Sequence, residues 1–325
     1  MGRIVKDRDM AAFVFIRKVA RGTCNAGGGW LLIALLLVLS ACGGAQDDDA
    51  RPRVVATTMM LEDVLNNIGG ELIHVQGIMG PGVDPHVYRA TPGDFANIER
   101  ADLIVYNGHF LEARLSEVLS NIPTRTYAAA EYLPESSLIE AFEFGGNYDP
   151  HVWFDASLWA EVARGVEKRL VQLMPEHENE LRENAAAYIT RLEELHEWAK
   201  GRIQEIPAER RLLITAHDAF QYFGQAYDIE VKGLQGLSTQ SDYGVREVSE
   251  MVSLIIERNI PAIFLESSIA PRSIQSLIRG VEQRGSEVAL GGELFSDAMG
   301  ARDTPEGSYT GMFRHNVDTI TEALK

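Results

Sequence analysis

The chain has 325 residues, of which 46% are hydrophobic, which is enough for one large domain or two medium ones with ordinary cores. Residues 42–325 carry a net charge of −21, because six of the 30 basic and two of the 47 acidic residues precede residue 42. Such an acidic surface repels nucleic acid and anionic lipid and attracts cations diffusely, so it argues against a nucleic-acid partner.

The amino-terminal segment predicts export and lipidation. Residues 30–41, WLLIALLLVLSA, form an apolar run that follows six basic residues and has the length of a signal-peptide hydrophobic region rather than of a membrane span. A buried core helix is the alternative, but the run has no polar face. It ends in Leu-Ser-Ala-Cys, which resembles a bacterial lipobox at all four positions. The resemblance implies that residues 1–41 are removed, that Cys42 is lipidated, and that residues 42–52 form a polar tether.

Residues 53–175 are predicted to form a first α/β lobe. Short apolar runs alternate there with helical stretches, which indicates a parallel, doubly wound sheet. The predicted strands cover residues 53–58, 72–79 and 102–108.

The middle of the chain is strongly helical, with a break at Met174-Pro175. The second piece, within residues 176–206, predicts a rod of roughly 40 Å at 1.5 Å per residue. It could join two lobes without a flexible hinge or pack along one domain, and the pattern alone does not choose between these.

A second α/β lobe is predicted for residues 207–325, where the alternation resumes. Its predicted strands cover 211–216, 229–234, 261–266 and 287–294, and its predicted helices cover 244–258, 271–284 and 315–325.

The sequence Asp-Pro-His-Val occurs twice, ending in Val87 and in Val152. A proline restricts both its own φ and the conformation of the residue before it, so each histidine side chain extends from a stiff piece of backbone. This suits a metal ligand, and it also suits a tight turn with a half-buried imidazole. The only cysteines are Cys24 and Cys42, so any metal must be held by His, Asp or Glu.

Ligands of open α/β sheets gather beyond the carboxyl ends of the strands. Five candidate metal-site residues can be placed by this rule. Four lie at or just beyond the end of a predicted strand, namely His86, His217, Glu266 and Asp297, whereas His151 lies in a loop before a helix. Two fall in the first lobe and three in the second, which suits a cleft. The other five histidines are predicted to be surface or structural residues.

Several long motifs carry a resemblance: ITAHDAFQYFGQAYDIEVKGLQGLST, FLESS, GGELFSDAMG and GMFRHNVDTI. Together they resemble the zinc and manganese solute-binding proteins of bacterial ABC importers, over about residues 53–325. The resemblance implies two α/β lobes joined by one long rigid helix, with Mn²⁺ or Zn²⁺ in the interlobe cleft. It further implies an extracytoplasmic, lipid-anchored monomer that serves an ABC permease and its ATPase.

The resemblance also implies the ligand set, which is His86, His151, His217 and Asp297. We expect Glu266 to hydrogen-bond a ligand or to shape the cleft. Many zinc receptors of this family carry a His-rich loop in the first lobe, but residues 130–150 contain no histidine, which favours manganese over zinc.

A lipid-anchored metallohydrolase is the alternative from another class, with Glu266 as its candidate base. Four ligands can close the site, however, and the sequence contains no H-E-x-x-H. Nothing in the sequence resembles an adhesion module, the third class considered.

Overall fold

The computed structural model describes residues 50–141, 147–240 and 243–325, apart from the side chain of Glu117. The predicted signal peptide, Cys42 and most of the tether lie outside the described residues.

The first α/β half is built on a parallel sheet with the strand order β2-β1-β3-β4. Val54 on the central strand is in register with Val75 on one side and Leu103 on the other. A two-stranded antiparallel ladder, β5 with β6, follows. The strands are β1 Arg53–Ala56, β2 His74–Gly77, β3 Leu103–Tyr106, β4 Thr126–Ala128, β5 Glu140–Ala141 and β6 Asn147–Tyr148, and the helices are α1 Met59–Gly69, α2 Pro92–Arg100 and α3 Ser116–Ser120.

Two helices occupy the middle of the chain, α4 over Ala156–Leu173 and α5 over Glu178–Ile203. They are separated at the predicted break by a short 3₁₀ turn, Pro175–His177, because Pro175 cannot continue the hydrogen-bond ladder of α4. The 26 residues of α5 span about 39 Å. Its buried residues recur every three or four positions, from Leu181 to Ile203, and form one apolar stripe.

The second half contains two parallel strand pairs, β7 with β8 and β9 with β10, and β7 packs beside β9. The strands are β7 Leu212–His217, β8 Glu230–Gln235, β9 Ala262–Glu266 and β10 Ala289–Leu294, and the helices are α6 Gln221–Tyr227, α7 Val245–Glu257, α8 Arg272–Gln283 and α9 Tyr309–Leu324.

The last helix corrects one predicted boundary. It begins at Tyr309 rather than at residue 315, because the Ser308 hydroxyl accepts a hydrogen bond from the Gly311 backbone N–H and caps the helix there. The helix-breaking tendency of Gly311 concealed this first turn.

A continuous apolar core joins the two halves. Helix α5 packs against α1 and α4 on one side and against α6 and α9 on the other. One cluster of buried side chains therefore runs from Val54 in β1 through Leu192 to Leu324 in α9. Residues 51–325 form one compact unit, and the predicted α/β class with its long helix is confirmed. The lobe boundaries at residues 175 and 206 stay predictions.

Candidate metal centre

The two Asp-Pro-His sequences form the same local turn. In each, the aspartate accepts a hydrogen bond from the backbone N–H of the histidine two residues later. The distance is 2.8 Å from His86 N to Asp84 Oδ1 and 2.9 Å from His151 N to Asp149 Oδ1. With proline between them, this contact fixes where each imidazole leaves the chain.

The two aspartates differ in their remaining contacts. Asp149 Oδ1 also lies 2.7 Å from His151 Nδ1, which leaves Nε2 as the free donor atom of that ring. Asp84 instead accepts a hydrogen bond of 2.6 Å from the Thr239 hydroxyl in the second half. The neighbouring Gln240 donates to the His86 carbonyl at 2.7 Å. The His86 turn is thus held across the cleft, whereas the His151 ring is oriented within its own turn.

The second half supplies its groups from the carboxyl ends of neighbouring strands. His217 ends β7 and Glu266 ends β9, and Asp297 follows β10 by three residues. Glu266 accepts from His217 twice, at 2.8 Å from the backbone N and at 2.5 Å from Nδ1. The Nε2 atom of His217 therefore faces away from Glu266, towards Asp297.

The structure brings His86, His151, His217 and Asp297 into one fully buried cluster, whose donor atoms lie within 4.8 Å of one another. The His86 and His151 Nε2 atoms are 3.2 Å apart. Asp297 Oδ1 lies 3.5 Å from His151 Nε2, and Asp297 Oδ2 lies 3.4 Å from His217 Nε2 and 3.9 Å from His86 Nε2. Four donors placed tetrahedrally around one ion at about 2.1 Å would be roughly 3.4 Å apart, close to these separations.

Buried atoms without partners converge on the same point. His217 Nε2 and both carboxylate oxygens of Asp297 are buried and form no hydrogen bond within the part of the chain that the structure describes. Buried polar atoms without partners are costly, so their convergence indicates an ion that would satisfy them together. The cluster is able to hold one divalent metal ion.

The pKa values of the cluster reflect burial and mutual interaction. Burial lowers the pKa of His86 to about 3, against the raising effect of Asp297, so this imidazole is neutral at pH 7. Burial also opposes the charged form of His217, but the carboxylates of Glu266 and Asp297 together raise the pKa of His217 well above its ordinary value. Burial would raise the pKa of Asp297, whereas His217, followed by His86 and His151, holds it below its ordinary range. These shifts favour a protonated His217 beside a neutral His86 in the metal-free site, so a metal ion would compete with a proton at His217.

Glu266 and the remaining histidines lie outside the four-residue cluster. Glu266 lies beside His217 rather than among the four converging side chains. None of His74, His109, His177, His196 and His315 belongs to the cluster, and His196, for example, lies 3.1 Å from the Tyr227 hydroxyl through its Nδ1.

Asp84 and Asp149 were not predicted as residues that support the histidine turns, although their signal was present in the repeated motif. Asn107, whose amide donates to the Pro150 carbonyl at 2.9 Å and so supports the His151 turn, was not predicted either. Among the described residues, no helix combines the length and hydropathy needed to cross a bilayer.

Fold and donor set together define a metal-binding protein in which two α/β halves enclose one site. The family model described as ZnuA, zinc-uptake complex component A periplasmic, matches residues 54–323. The chain therefore belongs to the family of metal-binding, substrate-binding components of ABC importers.

Individual relatives agree with this assignment. The manganese-binding lipoprotein MntA of Bacillus subtilis (strain 168) is 46% identical over 275 residues, covering 84% of this chain and 90% of the relative. The zinc-binding protein TroA of Treponema pallidum (strain Nichols) is 45% identical over 276 residues, covering 84% and 89%. The solved structure of that periplasmic zinc-binding protein superposes with a TM-score of 0.82 over 84% of this chain and 99% of the other.

Proposed function

We propose that this protein captures Mn²⁺ on the outer side of the cytoplasmic membrane and delivers it to the permease of an ABC importer. The ligands are His86, His151, His217 and Asp297. The observation that carries the proposal is the convergence of these four buried side chains, in which neither Asp297 oxygen forms a hydrogen bond with any described residue.

The placement of Asp297 supports manganese as the cargo. Its Oδ1 faces His151 and its Oδ2 faces His217 and His86, so both oxygens can bind one ion and raise the number of donors to five. Carboxylate oxygens suit Mn²⁺, and a larger donor number relaxes the tetrahedral geometry that zinc prefers.

Zinc is the second candidate, and it is favoured by four of the donor separations, which at 3.2–3.9 Å are close to those of a tetrahedral site. The divalent series also gives Zn²⁺ the higher intrinsic affinity. The relatives do not separate the two metals, because one is named for manganese and the other for zinc at 46% and 45% identity.

The site is built for binding rather than for catalysis. A catalytic zinc keeps an open position and a free base, whereas here four side chains surround the ion position. Both oxygens of Glu266, the candidate base, are engaged by His217. Steady hydrolysis of generic esters or peptides after metal loading would overturn this assignment.

The lipobox supports an anchored, extracytoplasmic receptor. Lipidation of Cys42 would hold the protein next to its permease, with the acidic residues that follow serving as a tether. A single acyl chain binds membranes only marginally, so two or more chains are required for a stable anchor.

Elemental analysis of protein purified without added metal, followed by competition between Mn²⁺ and Zn²⁺, tests the proposal. We expect one metal ion per chain, with bound Mn²⁺ in protein isolated from cells. Exclusive recovery of zinc would replace manganese by zinc as the cargo. Protein that binds neither metal would contradict the receptor assignment.

A further inference from the structure

A solvent-open cavity of about 470 Å³ lies on the first half, between the edge strand β4 and the last turns of α4. Tyr127, Tyr132, Gly165, Lys168 and Arg169 contribute to its lining. This volume is in the range of small-molecule sites. The cavity is distinct from the metal centre, because none of His86, His151, His217 and Asp297 contributes to its lining.

The cavity carries two cations that pair with no carboxylate of the described residues, although the chain has a net charge of −17. The Lys168 ammonium donates to the Tyr132 hydroxyl. The Arg169 guanidinium donates to the Thr124 carbonyl at 3.1 Å and to the Gln172 side chain at 3.3 Å. Neither cation forms an ion pair with a carboxylate in the described part of the chain.

Arg164, on the same helix, shows the ordinary arrangement for this surface. It forms ion pairs with Glu161 at 3.1 Å and with Glu193 at 3.0 Å. Within the described residues, Lys168 and Arg169 form no such ion pair, although Glu167 and Glu161 act on Lys168 from a longer distance. Both cations are therefore available to an anion.

Two buried hydrogen-bond donors at this cavity have no acceptor. The Tyr127 hydroxyl and the Arg169 Nε are both buried without a partner among the described residues. Burial raises the pKa of Tyr127, so its hydroxyl keeps its proton at neutral pH. Unpaired buried donors destabilise the free protein, and one anionic acceptor within reach of both would satisfy them.

Gly165 allows both tyrosines that line the cavity to pack closely against α4. A Cβ atom at this position would lie 2.4 Å from the Tyr127 hydroxyl oxygen and 2.7 Å from Tyr132 Cγ. Glycine is disfavoured inside a helix, so its presence in α4 is explained by this close approach.

We propose that this cavity binds a phosphate group through Arg169, Lys168 and the Tyr127 hydroxyl. The planar guanidinium suits a tetrahedral oxyanion, and the ammonium supplies a second charge. These groups must outweigh the partial negative charge at the carboxyl end of α4. The phosphate comes either from solution or from the phosphodiester of a lipid headgroup, since the two share this chemistry.

Calorimetric titration of the metal-free, full-length protein with inorganic phosphate and with glycerophosphoglycerol, a soluble headgroup diester, tests the proposal and separates the two sources. We expect one of the two ligands to bind with a Kd of about 1 mM or tighter. Arg169→Gln removes the charged guanidinium group, and we expect this variant to bind the phosphate ligand roughly tenfold more weakly or worse.

Tyr127→Phe provides a variant that should fold as stably as the wild type. Its hydroxyl forms no hydrogen bond with any residue that the structure describes, so thermal stability without phosphate should be unchanged or higher, while binding weakens roughly tenfold. Arg164→Gln removes the same charge from the same helix without touching the cavity and should keep wild-type affinity.

All three variants should retain Mn²⁺ and Zn²⁺ affinity, so the result does not depend on the metal-receptor function. Binding of neither ligand, or wild-type affinity in Arg169→Gln, overturns the proposal.

Discussion

The substitution Glu266→Gln tests whether Glu266 orients the ligand His217 or binds the metal directly. Glu266 is 2% exposed and accepts two hydrogen bonds from His217, one from the backbone N at 2.8 Å and one from Nδ1 at 2.5 Å. Glutamine has the same shape but only one acceptor oxygen. If that oxygen still accepts the hydrogen bond from the His217 backbone N–H, the amide NH₂ of the glutamine faces His217 Nδ1. This contact favours the His217 tautomer with the proton on Nε2, the atom nearest Asp297.

The expected loss follows from the hydrogen bond that is broken. A hydrogen bond to a charged group contributes about 1.5–3 kcal/mol, which corresponds to a loss of roughly 10- to 150-fold in affinity. Loss of a group that orients a metal ligand typically weakens binding about 10- to 100-fold, in agreement. Removing one carboxylate also lowers the pKa of His217, so less proton competition offsets part of the loss at pH 7.

Competition titrations with Mn²⁺ and Zn²⁺ at pH 7 measure this effect, with Asp297→Ala as the reference for loss of a ligand. Asp63→Asn is the matched control, because it removes a carboxylate that accepts a hydrogen bond from Tyr188 at 2.7 Å, away from the cluster. A loss in Glu266→Gln as large as that in Asp297→Ala would make Glu266 a ligand. Wild-type affinity would refute the orienting role.

Three further predictions concern the ligands, the protons and the anchor. Metal at about a hundredfold excess over Kd should add about 2.7 kcal/mol to the free energy of unfolding, as measured by thermal melts. Substitution of His86, His151, His217 or Asp297 by alanine should remove most of this gain without unfolding the metal-free protein. An unchanged gain in these variants would contradict the ligand assignment. Because the pKa of His217 is raised and His86 is already neutral, metal binding should release about one proton from His217 at pH 7. Metal affinity should therefore fall as the pH is lowered. Calorimetry in buffers of different ionisation enthalpy would measure the proton release. No proton release at pH 7 would contradict the charged state of His217. Cys42→Ala should leave unprocessed or released protein in cell fractions, and membrane retention in the mature form would argue against the lipobox.

Motion on metal release is constrained by the shared core. One apolar cluster runs through α5 into both halves, so a wide hinge opening would expose buried side chains. The contacts of Thr239 with Asp84 and of Gln240 with the His86 carbonyl are polar and can break at smaller cost. We therefore expect the metal to leave by a local rearrangement of these segments, with the long helix staying in place.

Much of the architecture could be predicted from the sequence, because local interactions determine it. The break at Met174-Pro175, the stripe on α5 and the buried strands follow from proline geometry and from the period of apolar residues. The short strands β4, β5 and β6 and the seven-residue helix α6 were not predicted, since segments of this length carry too little pattern. Their positions depend on partners elsewhere in the chain.

The kinds of donor atom were likewise readable from the sequence, but their convergence was not. Two identical Asp-Pro-His turns end in different roles, because Asp149 reaches its own imidazole whereas Asp84 reaches Thr239 in the other half. Glu266 became a partner of His217 only because β7 and β9 lie side by side. A local sequence sets the direction in which a side chain leaves the backbone, whereas the distance between donors far apart in the chain is set by the packing of both halves on one helix.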